Sequence, residues 1–246
     1  MISETEKHEF LVSMVDGTLK DENFQYYVIQ DALYLKDFAD CLHRLSKNDG
    51  ISAEDSKRLE EFAIGASEAE MSLHNSFFKE WNIQANAEHA TSMPNTLLYT
   101  SNMIRVVTTR SHAEGLASLL PCFWVYMHVG EKMLELRKEL GDSVSRPKQF
   151  DAWIDMYGGE DFAKEVRDYI RMTENAAKEA SAEEVERMRG KIFKFLNTMM
   201  FLLNSQLLNS PFLRRSFHDE CHVGTYVLGS SSKLDELAKN WGKMRY

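Results

Sequence analysis

A carboxylate on an apolar stripe and a thiol behind a helix-breaking proline are the two places where residue type and spacing invite chemistry. Phe24, Val28, Asp31, Leu35, Phe38, Leu42 and Leu45 recur at alternating steps of four and three, which puts all seven on one helix face. Asp31 is the charged member of that stripe. A carboxylate taken out of water without a partner costs several kcal/mol or protonates. Asp31 therefore either pairs with a basic residue or helix terminus on a neighbouring helix, or faces a cavity where a ligand can meet it. The pattern leaves both open. Tyr34, three residues on, can line the same cavity.

Pro121-Cys122 is the second such place. The proline interrupts an otherwise continuous helical pattern from Leu116 to Leu134. It removes a hydrogen bond, leaves the Ala117 carbonyl without its usual donor, and predicts a kink at a cost of about 3 kcal/mol. A thiol follows, and Tyr126 lies one turn further along the same face. A kink beside a thiol and a phenol suits a pocket between helices. Against this, buried cysteines are ordinarily inert small hydrophobes, and a thiol with no base nearby stays protonated.

Other candidates are poorer. His218, Cys221 and His222 suggest a metal, but adjacent ligands do not share a helix face and no second cluster completes a tetrahedron, so no metal site is expected. Phe24, Tyr26, Tyr27, Met199 and Met200 read as packing. There is no phosphate loop, dinucleotide fingerprint or Ser-His-Asp signature, and no cofactor is expected.

The elements that must position these residues are helical nearly throughout. With four prolines and twelve glycines in 246 residues, long helices are easier to write than many short strands. The first long helix carries the Phe24–Leu45 stripe and stops at Asn48-Asp49-Gly50. Ser52 with Asp55 forms a capping box for a helix running to about Trp81. Pro94 opens a helix through Tyr99 and Met103, and another runs from near Ala113 to Gly141. Residues 142–149 form a loop, followed by a short helix around Trp153 that ends at Gly158-Gly159. A helix over about 161–178 and one from the Ser181/Glu184 capping box to roughly Asn209 complete the set, with a last amphipathic stretch over 234–244. The fold expected is an all-α multi-helix bundle, with residues 1–210 as one domain and 211–246 as a tail.

Composition narrows the partners. A net charge of −9 opposes nucleic acid, and the longest basic patch is Leu213-Arg214-Arg215. Three cysteines without tight spacing argue for a reducing compartment. The charged first seven residues lack a signal-peptide core, and the most apolar run, 195–208, is too short to span a bilayer. The chain reads as cytoplasmic, with no membrane or nucleic-acid partner.

Together these segments resemble the TenA/thiaminase II family. The resemblance rests on Gly17-Thr-Leu and Phe24-Gln-Tyr-Tyr-Val-Ile-Gln-Asp31-Ala-Leu-Tyr34-Leu, then Glu68-Ala-Glu-Met-Ser-Leu-His74 and Tyr99-Thr-Ser-Asn-Met-Ile-Arg105. Next come Leu119-Leu-Pro-Cys122-Phe-Trp-Val-Tyr126 with Gly130-Glu-Lys, and Trp153-Ile-Asp-Met-Tyr157-Gly-Gly. It covers about His8 to Phe193. The resemblance implies a haem-oxygenase-like helical fold and a hydrolase of thiamin salvage acting on an aminopyrimidine or on thiamin, commonly as a homotetramer. It implies Cys122 as nucleophile, Asp31 as the carboxylate that bonds the aminopyrimidine ring, and Tyr34, Tyr99, Tyr126 and Tyr157 as tyrosines that stack on or bond to the substrate. The thiolate would add to the pyrimidine, the group on the exocyclic methylene would leave, and water would replace it.

Two departures stand out. Set against the family pattern, most of the first helix is expected to be missing before His8. The family's catalytic glutamate on the last long helix should fall near Met200, yet no Asp or Glu lies between Glu186 and Asp219. Three readings are open. The protein binds aminopyrimidines without efficient turnover, or Glu70 or Glu220 substitutes, or the carboxy-terminal segment derives from an altered reading of the gene.

Overall fold

The computed structural model describes residues 7–81 and 91–208. Nine α-helices make up the described part: α1 Glu9–Asp16, α2 Asp21–Ser46, α3 Ala53–Ile64, α4 Met71–Glu80, α5 Pro94–Thr109, α6 His112–Leu140, α7 Lys148–Gly158, α8 Glu160–Glu179 and α9 Ala182–Leu208. A π-helical turn, Gly65–Glu70, joins α3 to α4, and a 3-10 turn, Gly141–Ser143, comes after α6. The expected tail over 211–246, with His218, Glu220, Cys221 and His222, lies outside the described residues, as does the side chain of Glu70.

Local chemistry accounts for the helix boundaries. Ser52 Oγ accepts from the Asp55 amide at 3.0 Å, and Ser181 Oγ from the Glu184 amide at 3.2 Å, as the two capping boxes predict. Pro94 opens α5, where its missing N–H is no loss. Gly17 ends α1 with φ 77°, and a Cβ there would sit 2.4 Å from the Ser145 carbonyl oxygen.

Two features differ from the sequence pattern. The helix expected over 52–81 is broken by the π turn. Such a turn winds each residue through a smaller angle and so rotates the phase of α4, on which Phe77 and Phe78 are both buried. α1 is not among the helices expected above, although its buried Phe10, Leu11, Met14 and Val15 recur at helical spacing. Its N-terminus is capped by a ring, His8 Nδ1 accepting from the Phe10 amide at 3.3 Å.

The bundle is built around α6. Every residue from Ala113 to Val125 is buried, so the first half of this helix is covered on all sides, as a central helix must be. α5, α7, α8 and α9 pack against it, while α2 packs on α3 and α5. α6 continues through Pro121. Tyr169 of α8 donates its hydroxyl to the Leu116 carbonyl at 3.1 Å, beside the carbonyl that the proline leaves without a donor. An aromatic run joins the layers, with Phe38 against Phe123 at 5.3 Å and Phe123 stacked on Tyr169 at 4.3 Å.

The two ends of α6 are held differently. Near its start, the buried Glu114 takes Arg187 Nε at 2.7 Å and Lys191 Nζ at 3.4 Å, both from α9. In its second half, beyond Cys122, Gly130 meets α7 backbone to backbone: a Cβ there would lie 2.3 Å from the Tyr157 carbonyl. Among the described residues no helix is long and apolar enough to cross a membrane.

Candidate active site

α2, α5, α6 and α7 carry the six residues singled out by sequence, and the fold brings them together in two linked groups. The first surrounds the thiol. Tyr99 of α5 lies with its hydroxyl 3.0 Å from Cys122 Sγ, and both side chains are buried. Tyr34 of α2 packs edge-on against Tyr99, ring centroids 5.8 Å apart. Its hydroxyl is close enough to influence the thiol's ionisation without hydrogen-bond geometry to a partner.

The second group surrounds the carboxylate. Tyr126, one turn beyond Cys122 on α6, donates its hydroxyl to Asp31 Oδ1 at 3.3 Å. Tyr157 of α7 packs on Tyr126 at 4.8 Å and on Trp153 at 4.7 Å. The groups are joined twice through the backbone: Asp31 and Tyr34 are three apart on α2, and Cys122 and Tyr126 are four apart on α6, so each pair shares a face.

Burial dominates the electrostatics. It pushes the Cys122 thiol up to about 12; the Tyr34 and Tyr99 hydroxyls pull it back and the Asp31 charge pushes it further up. Burial also holds Tyr34, Tyr99 and Tyr126 well above the usual phenol range, so all three remain hydrogen-bond donors at neutral pH. A protonated thiol among phenols rests inert. The same phenols would stabilise a thiolate once something favours its formation.

Three residues outside the sequence-based set support the site. Gln30, beside Asp31, spends its side chain on the start of α5: Oε1 accepts from the Met93 amide at 2.9 Å and Thr96 Oγ1 at 3.0 Å, and Nε2 donates to the Thr91 carbonyl at 3.2 Å. This fixes the helix from which Tyr99 reaches the thiol. Phe195 of α9 is fully buried edge-on against Tyr99, centroids 5.3 Å apart. Tyr27 lies one turn before Asp31, its hydroxyl 3.3 Å from that of Tyr126. Its place one turn before Asp31 on α2 was the available signal.

Fold and site together define an all-α bundle with a reactive-type side chain enclosed by phenols and a carboxylate. The family model described as TENA/THI-4/PQQC matches residues 2–207, and the chain belongs to that family. An aminopyrimidine aminohydrolase of Bacillus subtilis (strain 168) is 37% identical over 182 residues, covering 72% of each chain. Among solved structures, a TenA homologue protein from P. horikoshii OT3 superposes with a TM-score of 0.73 at 20% identity, over 83% of this chain and 92% of that one. A Shewanella denitrificans OS217 domain with a haem-oxygenase-like fold gives 0.67 at 12% identity, over 93% and 94%. The fold is therefore the haem-oxygenase-like bundle of TenA proteins.

Proposed function

We propose that this chain is an aminopyrimidine aminohydrolase of thiamin salvage, using Cys122 as a covalent nucleophile. The observation that carries this reading is the buried Cys122 thiol at 3.0 Å from the Tyr99 hydroxyl, one helical turn from a tyrosine that bonds Asp31. The name of the Bacillus subtilis relative supports the same chemistry.

In this reading Asp31 accepts hydrogen bonds from the aminopyrimidine ring, and Tyr34, Tyr99, Tyr126 and Tyr157 line and stack on it. The sulfur bonds to a ring carbon, the exocyclic C–N bond breaks, and ammonia leaves with the proton taken from the thiol. Water then adds at the methylene, its proton goes to the sulfur, and the C–S bond breaks. The sum replaces an exocyclic amine with hydroxyl; with thiamin, the thiazole is the leaving group. Both leaving groups are cationic as they depart, the amine because it has taken the thiol's proton to become an ammonium, and the thiazole because thiamin carries it as a thiazolium. A cation beside the thiol favours the thiolate that burial disfavours, so the substrate itself activates the nucleophile. The resemblance further supports a cytoplasmic homo-oligomer with residues 1–210 as the working domain.

Cys122→Ser tests the assignment. Release of ammonia from 4-amino-5-aminomethyl-2-methylpyrimidine should disappear while the hydroxymethyl product still binds; unchanged turnover would sink the nucleophile. One observation favours a second reading, a binding or regulatory protein on this scaffold: no carboxylate occurs between Glu186 and Asp219. Wild-type protein that binds the product but releases neither ammonia nor thiazole would decide for it.

A further inference from the structure

Tyr27 is 2% exposed and packed among rings, with Phe10 at 5.4 Å, Phe24 at 6.0 Å and Trp153 at 6.3 Å. A phenylalanine would fill that space equally well, so its hydroxyl calls for an explanation. It lies in the middle of a chain of bonds. Trp153 Nε1 donates to the Tyr27 hydroxyl at 3.0 Å, the Tyr27 and Tyr126 hydroxyls are 3.3 Å apart, and Tyr126 donates to Asp31 Oδ1 at 3.3 Å.

The two ends of this chain fix its direction. An indole N–H can only donate, an ionised carboxylate can only accept, and each phenol owns one proton. With the Tyr126 proton on Asp31, the bond between the phenols must carry the Tyr27 proton. Every donor therefore points towards Asp31, and each bond polarises the next. The proton of Tyr126 is committed, so what this wall keeps for a ligand is acceptor capacity.

We infer that Tyr27, anchored by Trp153, is a positioning residue that makes the site select a pyrimidine presenting an amino group over one presenting an oxo group at the same place. It acts through Tyr126: the relay holds that phenol as an acceptor towards ligand. An amino substituent donates to acceptors, whereas an oxo substituent would leave two acceptors facing each other, unpaired and out of water. The inference rests on the reading of Asp31 and Tyr126 as the pyrimidine-binding wall.

The test is the ratio of dissociation constants, by calorimetry, for 4-amino-5-hydroxymethyl-2-methylpyrimidine and its 4-oxo counterpart. Wild type should favour the amino form, and Tyr27→Phe should narrow that preference about fivefold, because the Tyr126–Asp31 bond loses the polarisation that Tyr27 gives it and the Tyr126 proton can then turn to an oxo group. A residue that only fills space would weaken both ligands alike and leave the ratio unmoved. Trp153→Phe, which removes the anchoring donor at the far end, should narrow the ratio in the same direction and serves if Tyr27→Phe does not fold. In a Tyr126→Phe background, Tyr27→Phe should change the ratio no further. A preserved ratio in both single variants overturns this inference alone. Wild-type protein that binds neither ligand overturns the inference together with the functional reading beneath it.

Discussion

The two ends of α6 are fastened by opposite means, with the thiol between them. At Glu114 the fastening is ionic: a buried carboxylate gripped by Arg187 and Lys191 from α9. At Gly130 it is steric: two backbones approach so closely that a single methyl group would meet the Tyr157 carbonyl carbon and oxygen at 2.3 Å. The ionic joint depends on charge and pH and leaves room for adjustment. The steric joint ignores pH and allows none. It also bears directly on the site, because Tyr157 belongs to the backbone that Gly130 touches, while Glu114 meets Arg187 and Lys191 of α9. Sensitivity to packing is thus concentrated at the tyrosine end, and sensitivity to acid at the other.

Substitutions can break or sharpen that contrast. Gly130→Ala should be the most damaging: neither backbone can retreat without moving α7, and the melting temperature should fall by about 10 °C. Pyrimidine affinity should fall with it, since Tyr126 and Tyr157 shift together. Wild-type melting would remove the claim of a rigid steric joint. Glu114→Ala comes next, with a drop of about 5 °C at neutral pH and pyrimidine affinity retained. Here the sign with pH can be worked out. Burial pushes the Glu114 carboxyl up, but Arg187 and Lys191 outweigh it and hold the group below its usual range. Its contribution is therefore full above the ordinary carboxylate pKa and is lost as pH falls through the depressed value. Melting curves of wild type and Glu114→Ala should converge on acidification, whereas the deficit of Gly130→Ala should persist. Parallel behaviour of the two variants would erase the distinction. Gly115→Ala should have the smallest effect, about 2 °C or less, because its added methyl meets a movable Leu45 methyl at 2.5 Å and alanine favours the helix. A loss as large as that of Gly130→Ala would show that the ionic end is as tightly packed as the other.

What could be read from the chain tracked the range of the interactions. Caps at Ser52 and Ser181 bind amides three residues away and were legible, as was the α2 stripe on which Asp31 stood out. Asp31 had two open readings, and its bond to Tyr126, 95 residues on, could not be derived from spacing. Tyr27 looked like packing because its hydroxyl's partners lie 99 and 126 residues away. Glu114 drew no notice for the same reason, its guanidinium partner being 73 residues distant. The π turn was hidden because the apolar pattern continues across it. By pattern alone Cys122 is open to an inert reading, and it is the resemblance of the surrounding motifs that implies a nucleophile.

Gln30 bears on the order in which this molecule assembles. Its bonds span 61, 63 and 66 residues, and those of the Asp31 relay span 95 or more. Contacts of that range form late, since the entropy of closing each loop is lost before any contact offsets it. Helices capped by neighbouring residues have no such delay. During refolding, helical signal should therefore return ahead of the pocket, with the tyrosine enclosure around the thiol expected among the last things the chain completes.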